Sequence, residues 1–262
     1  MRLMRLKVRY IQAAGVALLM GLLSACAGLS KPADESDTVA DESRPGVAML
    51  FVESEPGQSQ SFTSRMFVNP RYLHMNDSRA PQDFILFDRK ERVIYSVNSE
   101  DKTVFEIHAK PVTVKPPIAI DYTEESQPSS AIPKVDGREA IHYRYLANGA
   151  RCYDAVSLGG DFLPDVVQAM REFRTVLAGE HASTLERIPR DLLDPCDLAL
   201  NIFYSTRHLE HGFPLREWGV NGYQRFLKTY YPDFTVEREV LTLPEGYRHY
   251  TAENAVSGSV DH

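Results

Sequence analysis

The chain has 262 residues, of which 43% are hydrophobic and 10% aromatic, and its 29 basic against 36 acidic side chains leave a formal charge of −7. That is enough apolar material for a folded core, and an acidic chain without a basic, aromatic-laced run is excluded from ordinary electrostatic binding of nucleic acid. No Gly-rich phosphate loop is present, and 3 cysteines are too few for a disulfide-dense scaffold.

The amino terminus has three parts in the order of a signal peptide. Arg2, Arg5, Lys7 and Arg9 form a charged region, Ile11 to Leu23 an apolar core, and Leu23-Ser24-Ala25-Cys26 reads as a bacterial lipoprotein cleavage box. An apolar run of about a dozen residues suits a signal segment and is too short for a membrane span. Residues 1–25 are therefore expected to be removed and Cys26 to be acylated, anchoring the protein stably through several chains. The plainer alternative is a secretory peptide with a chance cysteine at the cut. Ala27 in the second mature position, where an aspartate would retain the protein, resembles lipoproteins sent on to the outer membrane. Loss of residues 1–25 removes four basic and no acidic groups, leaving 237 residues with a charge of −11.

Cys152 and Cys196 then remain in an oxidising compartment, where a pair is expected to join across a loop of about 45 residues. A redox-active pair is the alternative, but no Cys-x-x-Cys spacing supports it.

Residues 26–45 carry Asp34, Glu35, Asp37, Asp41 and Glu42 among small residues. This composition cannot bury enough surface to fold, so it is expected to be a disordered tether. A single domain is predicted over 46–251. Val47–Val52, Phe62–Val68 and Tyr72–Met75 are β-favouring runs broken by Pro56-Gly57 and Asn69-Pro70. Phe84–Phe87, Val93–Val97 and Thr103–Ile107 follow as an antiparallel meander joined by polar turns. Within it Val93, Tyr95 and Val97 share one face, as do Phe105 and Ile107, and this period of two is expected to set one face on a core. Ile141, Tyr143 and Tyr145, then Asn148-Gly149, then Cys152–Val156 predict a hairpin, because Asn-Gly supplies the positive φ angles of a tight turn.

The period then changes. Leu163, Val166, Met170, Phe173 and Leu177 step by helical spacings, with Pro164 near the start and Gly179 as a stop. A second helix is expected from Asp194 to His208, its Cys196 tied back to the hairpin. Strands are predicted again at Phe213–Trp218, Tyr223–Tyr231 after the turn Asn221-Gly222, and Val236–Leu243, and residues 252–262 read as a disordered tail. The fold class is α+β, an antiparallel curved sheet, or half-barrel, wrapped around an inserted helical segment.

The series Phe84-Ile85-Leu86-Phe87-Asp88-Arg89-Lys90, Val93-Ile94-Tyr95-Ser96-Val97 and Asp101-Lys102-Thr103-Val104-Phe105-Glu106-Ile107 resembles the sheet of LolA/LolB-like bacterial lipoproteins and an uncharacterised envelope relative family. Val135-Asp136-Gly137, Gly212-Phe213-Pro214-Leu215 and Leu243-Pro244-Glu245-Gly246-Tyr247 fit the same pattern over most of 46–250. The resemblance implies an apolar ligand, such as an acyl chain, held between sheet and helices. It implies no catalysis. No residue matches the exposed loop by which the outer-membrane receptor inserts lipid, so that activity is not part of the expectation.

Residues that could carry chemistry read blandly. His208-Leu209-Glu210-His211 lacks the spacing of a His-Glu-x-x-His metal site, and histidines at a helix end have a dipole explanation. His74, His108 and His142 lie in strand patterns. Ser157-Leu158-Gly159-Gly160-Asp161 is not a nucleophile elbow and reads as a strand-to-helix turn capped by Asp161. Glu53 with Glu55, and Glu124 with Glu125, read as solvated charge and not as a glycosidase pair. No cofactor is expected. What remains is an apolar wall: Met170, Phe173 and Leu177 against Tyr95, Phe105, Tyr143 and Tyr145, either a filled core or the lining of a ligand cavity. Two functions follow first, sequestration of an apolar ligand and docking of an envelope partner by a filled module, with membrane attachment through Cys26 and no nucleic acid in either; an envelope hydrolase is the third reading and requires His, carboxylate and nucleophile side chains to converge in one cleft.

Overall fold

Strand-forming runs and polar turns in the first half of the chain become a meander. The computed structural model describes residues 45–58, 60–159 and 161–257; Cys26 and the segments expected to be signal peptide and tether, up to residue 44, lie outside these described residues. The meander runs β1 (Gly46–Ser54), β2 (Phe62–Val68), β3 (Tyr72–Asp77), β4 (Phe84–Asp88), β5 (Val93–Asn98) and β6 (Thr103–His108). The rest comprises β7 (Tyr122–Pro128), β8 (Ile141–Ala147), β9 (Ala150–Leu158), helix α1 (Pro164–Thr184), a short helix α2 (Pro195–Leu198), β10 (Phe213–Gly219), β11 (Gln224–Phe234), β12 (Arg248–Thr251) and helix α3 (Ala252–Ser257).

The strands form one open sheet in the order β12-β6-β5-β4-β3-β2-β1-β11-β10-β9-β8-β7. Every neighbouring pair is antiparallel except β12 with β6. This is an α+β arrangement, a large curved sheet with a few helices. Among the described residues no helix is long and apolar enough to cross a membrane.

Strand register decides which side chains meet. Phe51, Met66, Leu73, Phe87, Ile94 and Ile107 point to one face, here the inner face, and pack with Val166, Met170, Phe173 and Leu177 of α1. Phe87 and Phe173 meet edge to face, ring centroids 5.9 Å apart. Each such side chain, fully buried, contributes roughly 1.5–3 kcal/mol, which is why α1 is held on the sheet. On the outer face Phe67, Leu86 and Leu241 form a separate cluster, with Tyr95, Val236 and Leu243 packed on it.

Several elements differ from the sequence reading. Helix α1 runs past Gly179 to Thr184. Gly179 is not a stop: a Cβ there would lie 2.1 Å from the Lys110 carbonyl oxygen, so glycine is needed for close approach of the chain after β6. Asp161 does not cap α1. It is exposed and pairs with Arg138 at 2.6 Å, and Leu163 occupies the cap position at a positive φ. The predicted second helix is broken into α2, a π-helical turn at Ala199–Phe203 and a 3-10 turn at Arg207–Leu209. Val236–Leu243 is not a strand. A 3-10 turn at Arg238–Leu241 leaves Leu241 3% exposed, because covering the outer face buries more apolar surface than extending the edge. Residues 252–257, read as part of the tail, form α3. Finally, β7 has no apolar alternation to announce it; as an edge strand it needs one partner and tolerates a polar, Pro-ended sequence.

Candidate functional site

Cys152 and Cys196 form a disulfide, their Cα atoms 5.3 Å apart, and it fastens α2 to β9. Asp194 caps α2 by accepting the Asp197 N–H at 2.9 Å. The π-helical turn that follows is held by Arg174 of α1, whose guanidinium donates to the carbonyl oxygens of Leu200 and, at 3.1 Å, Ser205. Helical widening of this kind recurs at functional sites. Here it leaves a cleft of about 550 Å³ between the 199–210 segment, the start of β7, α1 and Lys110–Val112.

One wall is aromatic: the Tyr122 and Tyr204 rings stack at 4.7 Å, and Tyr204 is 39% exposed. The other groups are charged and mutually engaged. Arg207 donates to Glu124 at 3.1 Å and to Glu210 at 2.5 Å, His211 lies 3.0 Å from Glu124, and Lys110 sits 3.3 Å from Glu180 and 3.1 Å from Glu253. Thr175, Ser205 and Thr206 add hydroxyls. Behind the wall Tyr122 stacks on the fully buried Tyr145, and neither phenol oxygen has a hydrogen-bond partner among the described residues. Burial raises the pKa of both phenols, so they remain neutral donors.

Deeper still, the inner face turns polar across β9, β10, β11 and β1. Glu217, 4% exposed, accepts from the Tyr153 hydroxyl at 2.6 Å and lies 3.7 Å from Arg225 and 3.8 Å from His208. Arg225 also faces Glu53 at 3.5 Å and stacks over Phe51 at 3.7 Å. Two buried guanidinium groups, Arg174 and Arg225, are thus set against Glu217 and Glu53 in one layer. Burial, with Arg174 and Arg225 nearby, pushes His208 well below its ordinary pKa, and burial next to Glu217 drives Tyr153 well above its own.

This has a pH consequence. His74 is lowered by burial from 6.5 to about 4, and His181 and His208 are lowered as well, so the unfolded chain takes up protons before the folded one. Their contribution is complete above about 6.5 and declines as pH falls toward 4. Urea midpoints are expected to drop between neutral pH and about pH 5, and His74→Phe to flatten part of that drop. An unchanged slope in that variant would remove His74 from the account.

The predicted wall is not assembled as one surface. Met170, Phe173 and Leu177 lie in the packed core at 7, 4 and 7% exposure, and Phe105 packs at its margin. Tyr95 is on the outer face, because its register partner is Glu106 while Phe105 pairs with Ser96. Tyr143 stacks on His211 at 4.0 Å, and Tyr145 sits behind the cleft. None of the seven lines the cleft. In the His208-Leu209-Glu210-His211 stretch His208, Glu210 and His211 pair with Glu217, Arg207 and Glu124 respectively, and among the described residues no group of three is placed to hold a metal ion. Ser157 is fully buried in β9, and Glu124 lies in a strand, paired, not in a solvated loop. Sequence reasoning missed Arg174, Arg207, Glu217 and Arg225. The legible signal was Arg225, a charge sharing the inward phase with Leu227.

No family model matches the chain, and no curated protein matches it. Among solved structures the chain is similar to PNGF-II in a C2 crystal form, at 8% identity and a TM-score of 0.39 over 82% of this chain. MucB is similar at 8% identity and a TM-score of 0.37 over 79% of this chain. The chain spans 32% of the first and 60% of the second.

Proposed function

We propose that the protein is a non-catalytic envelope lipoprotein, acylated at Cys26 and held on the periplasmic face of the outer membrane, whose LolA/LolB-like half-barrel binds an apolar or amphiphilic ligand. The observation that carries this reading is the cleft of about 550 Å³ beside the Tyr122–Tyr204 stack, a volume within the range of small-molecule sites. The space between α1 and the sheet is filled by packed side chains, so the ligand is assigned to the cleft and not to the core. Mutual pairing of Arg207, Glu124, Glu210 and His211 supports a binding role over a catalytic one, since among the described residues none of the cleft hydroxyls of Thr175, Ser205 and Thr206 is hydrogen-bonded to Glu124, Glu210 or His211.

A second reading, an interaction module docking an envelope partner, is favoured by that filled core. Native mass spectrometry of the Cys26→Ser chain made in a periplasm separates the two. A co-purifying mass removed by organic solvent is expected, and its loss in Thr175→Trp, which fills the cleft from the exposed flank of α1, would assign it to this site. A clean apo mass with no uptake of added fatty acid would sink the ligand reading and leave the interaction module.

A further inference from the structure

The outer face is covered by the 236–243 segment only over the β2–β5 side, where Leu241, Val236 and Leu243 pack on Phe67, Leu86 and Tyr95. Along β11 it is bare. Phe226, Tyr231 and Phe234 are 45, 53 and 43% exposed. Register places them on this face: Phe226 opposes Val52, and Tyr231 opposes Ala48, itself part of the outer cluster. Exposed cations flank the row. Arg216 is the direct partner of Phe226, Arg65 is the partner of Leu50 on β2, and Lys228 stands out at the β11 bulge. Among the described residues none of these three is in an ion pair. Further along, Arg144 and Arg151 are held by the buried Asp154 and are 39 and 42% exposed. The strand carboxylates on the β11 side of this face are Asp154, which also binds His142, Glu125, which lies 3.7 Å from Arg144, and Asp233 at the end of β11. Asp88 and Glu106 lie on its far side with Leu86 and Tyr95, where the covering segment adds Glu237 and Glu239. A chain with a formal charge of −7 thus gathers cations and exposed aromatic rings on one surface.

We propose that this outer face of β11 is a docking surface for an anionic phospholipid bilayer. Aromatic rings settle at the headgroup level of a membrane, and basic side chains beside them are drawn to its negative surface potential. An anionic soluble partner would use the cations but would leave Phe226, Tyr231 and Phe234 without a role. The position of β1 supplies the second argument: Gly46, its first residue, pairs with Phe234, so β1 begins beside the end of this aromatic row, 20 residues after Cys26 in the sequence. The proposal rests on the anchored reading only for how the bilayer is delivered. A tether of about 20 residues keeps the membrane within a few tens of ångströms, so a weak surface suffices.

The test is flotation of the chain carrying Cys26→Ser with vesicles of phosphatidylglycerol and phosphatidylcholine in equal parts, against vesicles of phosphatidylcholine alone. Binding to the anionic vesicles is expected, weakening with salt and falling about tenfold or more in Arg216→Glu/Lys228→Glu. Phe226→Ser should lower the binding that survives at high salt. Arg65→Glu provides an independent variant, and an intact Cys152–Cys196 disulfide with unchanged circular dichroism checks the fold. No flotation with anionic vesicles, or equal flotation of the charge-reversed chain, would overturn the proposal. So would flotation seen only after Asp34, Glu35, Asp37, Asp41 and Glu42 are neutralised, which would make the chain's own acidic segment the occupant. Capture of soluble polyglutamate without vesicle binding would assign the surface to an acidic protein instead. Because the chain tested lacks the anchor cysteine, these outcomes are independent of whether Cys26 is acylated, which membrane pelleting of the native chain decides.

Discussion

Glu217→Ala is expected to destabilise the protein by about 3–5 kcal/mol, read as a shift in the urea midpoint without a change in slope. The side chain is 4% exposed and receives the Tyr153 hydroxyl at 2.6 Å, while Arg225 approaches to 3.7 Å. Its removal leaves Arg225 with Glu53 alone, buried next to Arg174, and deprives a buried phenol of its acceptor. The cost arises mainly from an uncompensated charge in a poorly polarisable layer and only secondarily from the lost contacts. Glu217→Leu combined with Arg225→Met is therefore expected to be less damaging than either single change, since it removes both charges and keeps the volume. If the double variant is as unstable as the sum of its parts, the layer is maintained by packing and not by charge balance.

Replacing Cys152 and Cys196 together by alanine is expected to cost roughly 2–4 kcal/mol, because the bridge closes a loop with a sequence separation of 44. The effect should be uneven. Segment 195–209 meets the sheet through the disulfide, the Tyr122–Tyr204 stack and the Arg207–Glu124 pair, and it meets α1 through Arg174, through Arg171 on the Leu209 carbonyl, and through Leu198 and Ile202 against Ala182. Amide exchange is expected to quicken over 195–209 while the β1–β5 meander stays protected, and any cleft-bound mass should be lost at the same time. Uniform protection in the variant would show that the contacts with α1, from Arg174, Arg171 and the apolar cluster of Ala182, Leu198 and Ile202, hold the segment without the bridge.

The meander was readable because its side chains alternate and its turns are polar: Val93, Tyr95 and Val97 do share a face, and Asn148-Gly149 does close a hairpin, Gly149 at φ 77°. Which of the two alternating faces meets α1 was not readable. Both Tyr95 and Ile94 are apolar enough to be inside, and each finds cover, Tyr95 half-buried under the 236–243 segment and Ile94 fully buried under the helix. That ambiguity scattered the predicted wall. Gly179 shows the same limit for helices: its stop signal is local, whereas its actual reason is the Lys110 carbonyl from a distant part of the chain.

The cleft lies further from the reach of sequence. Glu124, Arg207 and His211 are separated by up to 87 positions, and nothing in their spacing announces that one carboxylate serves both the guanidinium and the imidazole. Local chemistry was enough to predict strands, the long helix and the pairing of two cysteines, because propensity, period and compartment-dependent cysteine chemistry are legible from the residues themselves. Tertiary structure alone decided the faces of the sheet, the break in the second helix, the polar layer around Glu217 and the bare aromatic row on β11. Each of these depends on which distant side chain or carbonyl arrives at a given position, and burial then sets whether a charge, a phenol or a glycine is tolerated there.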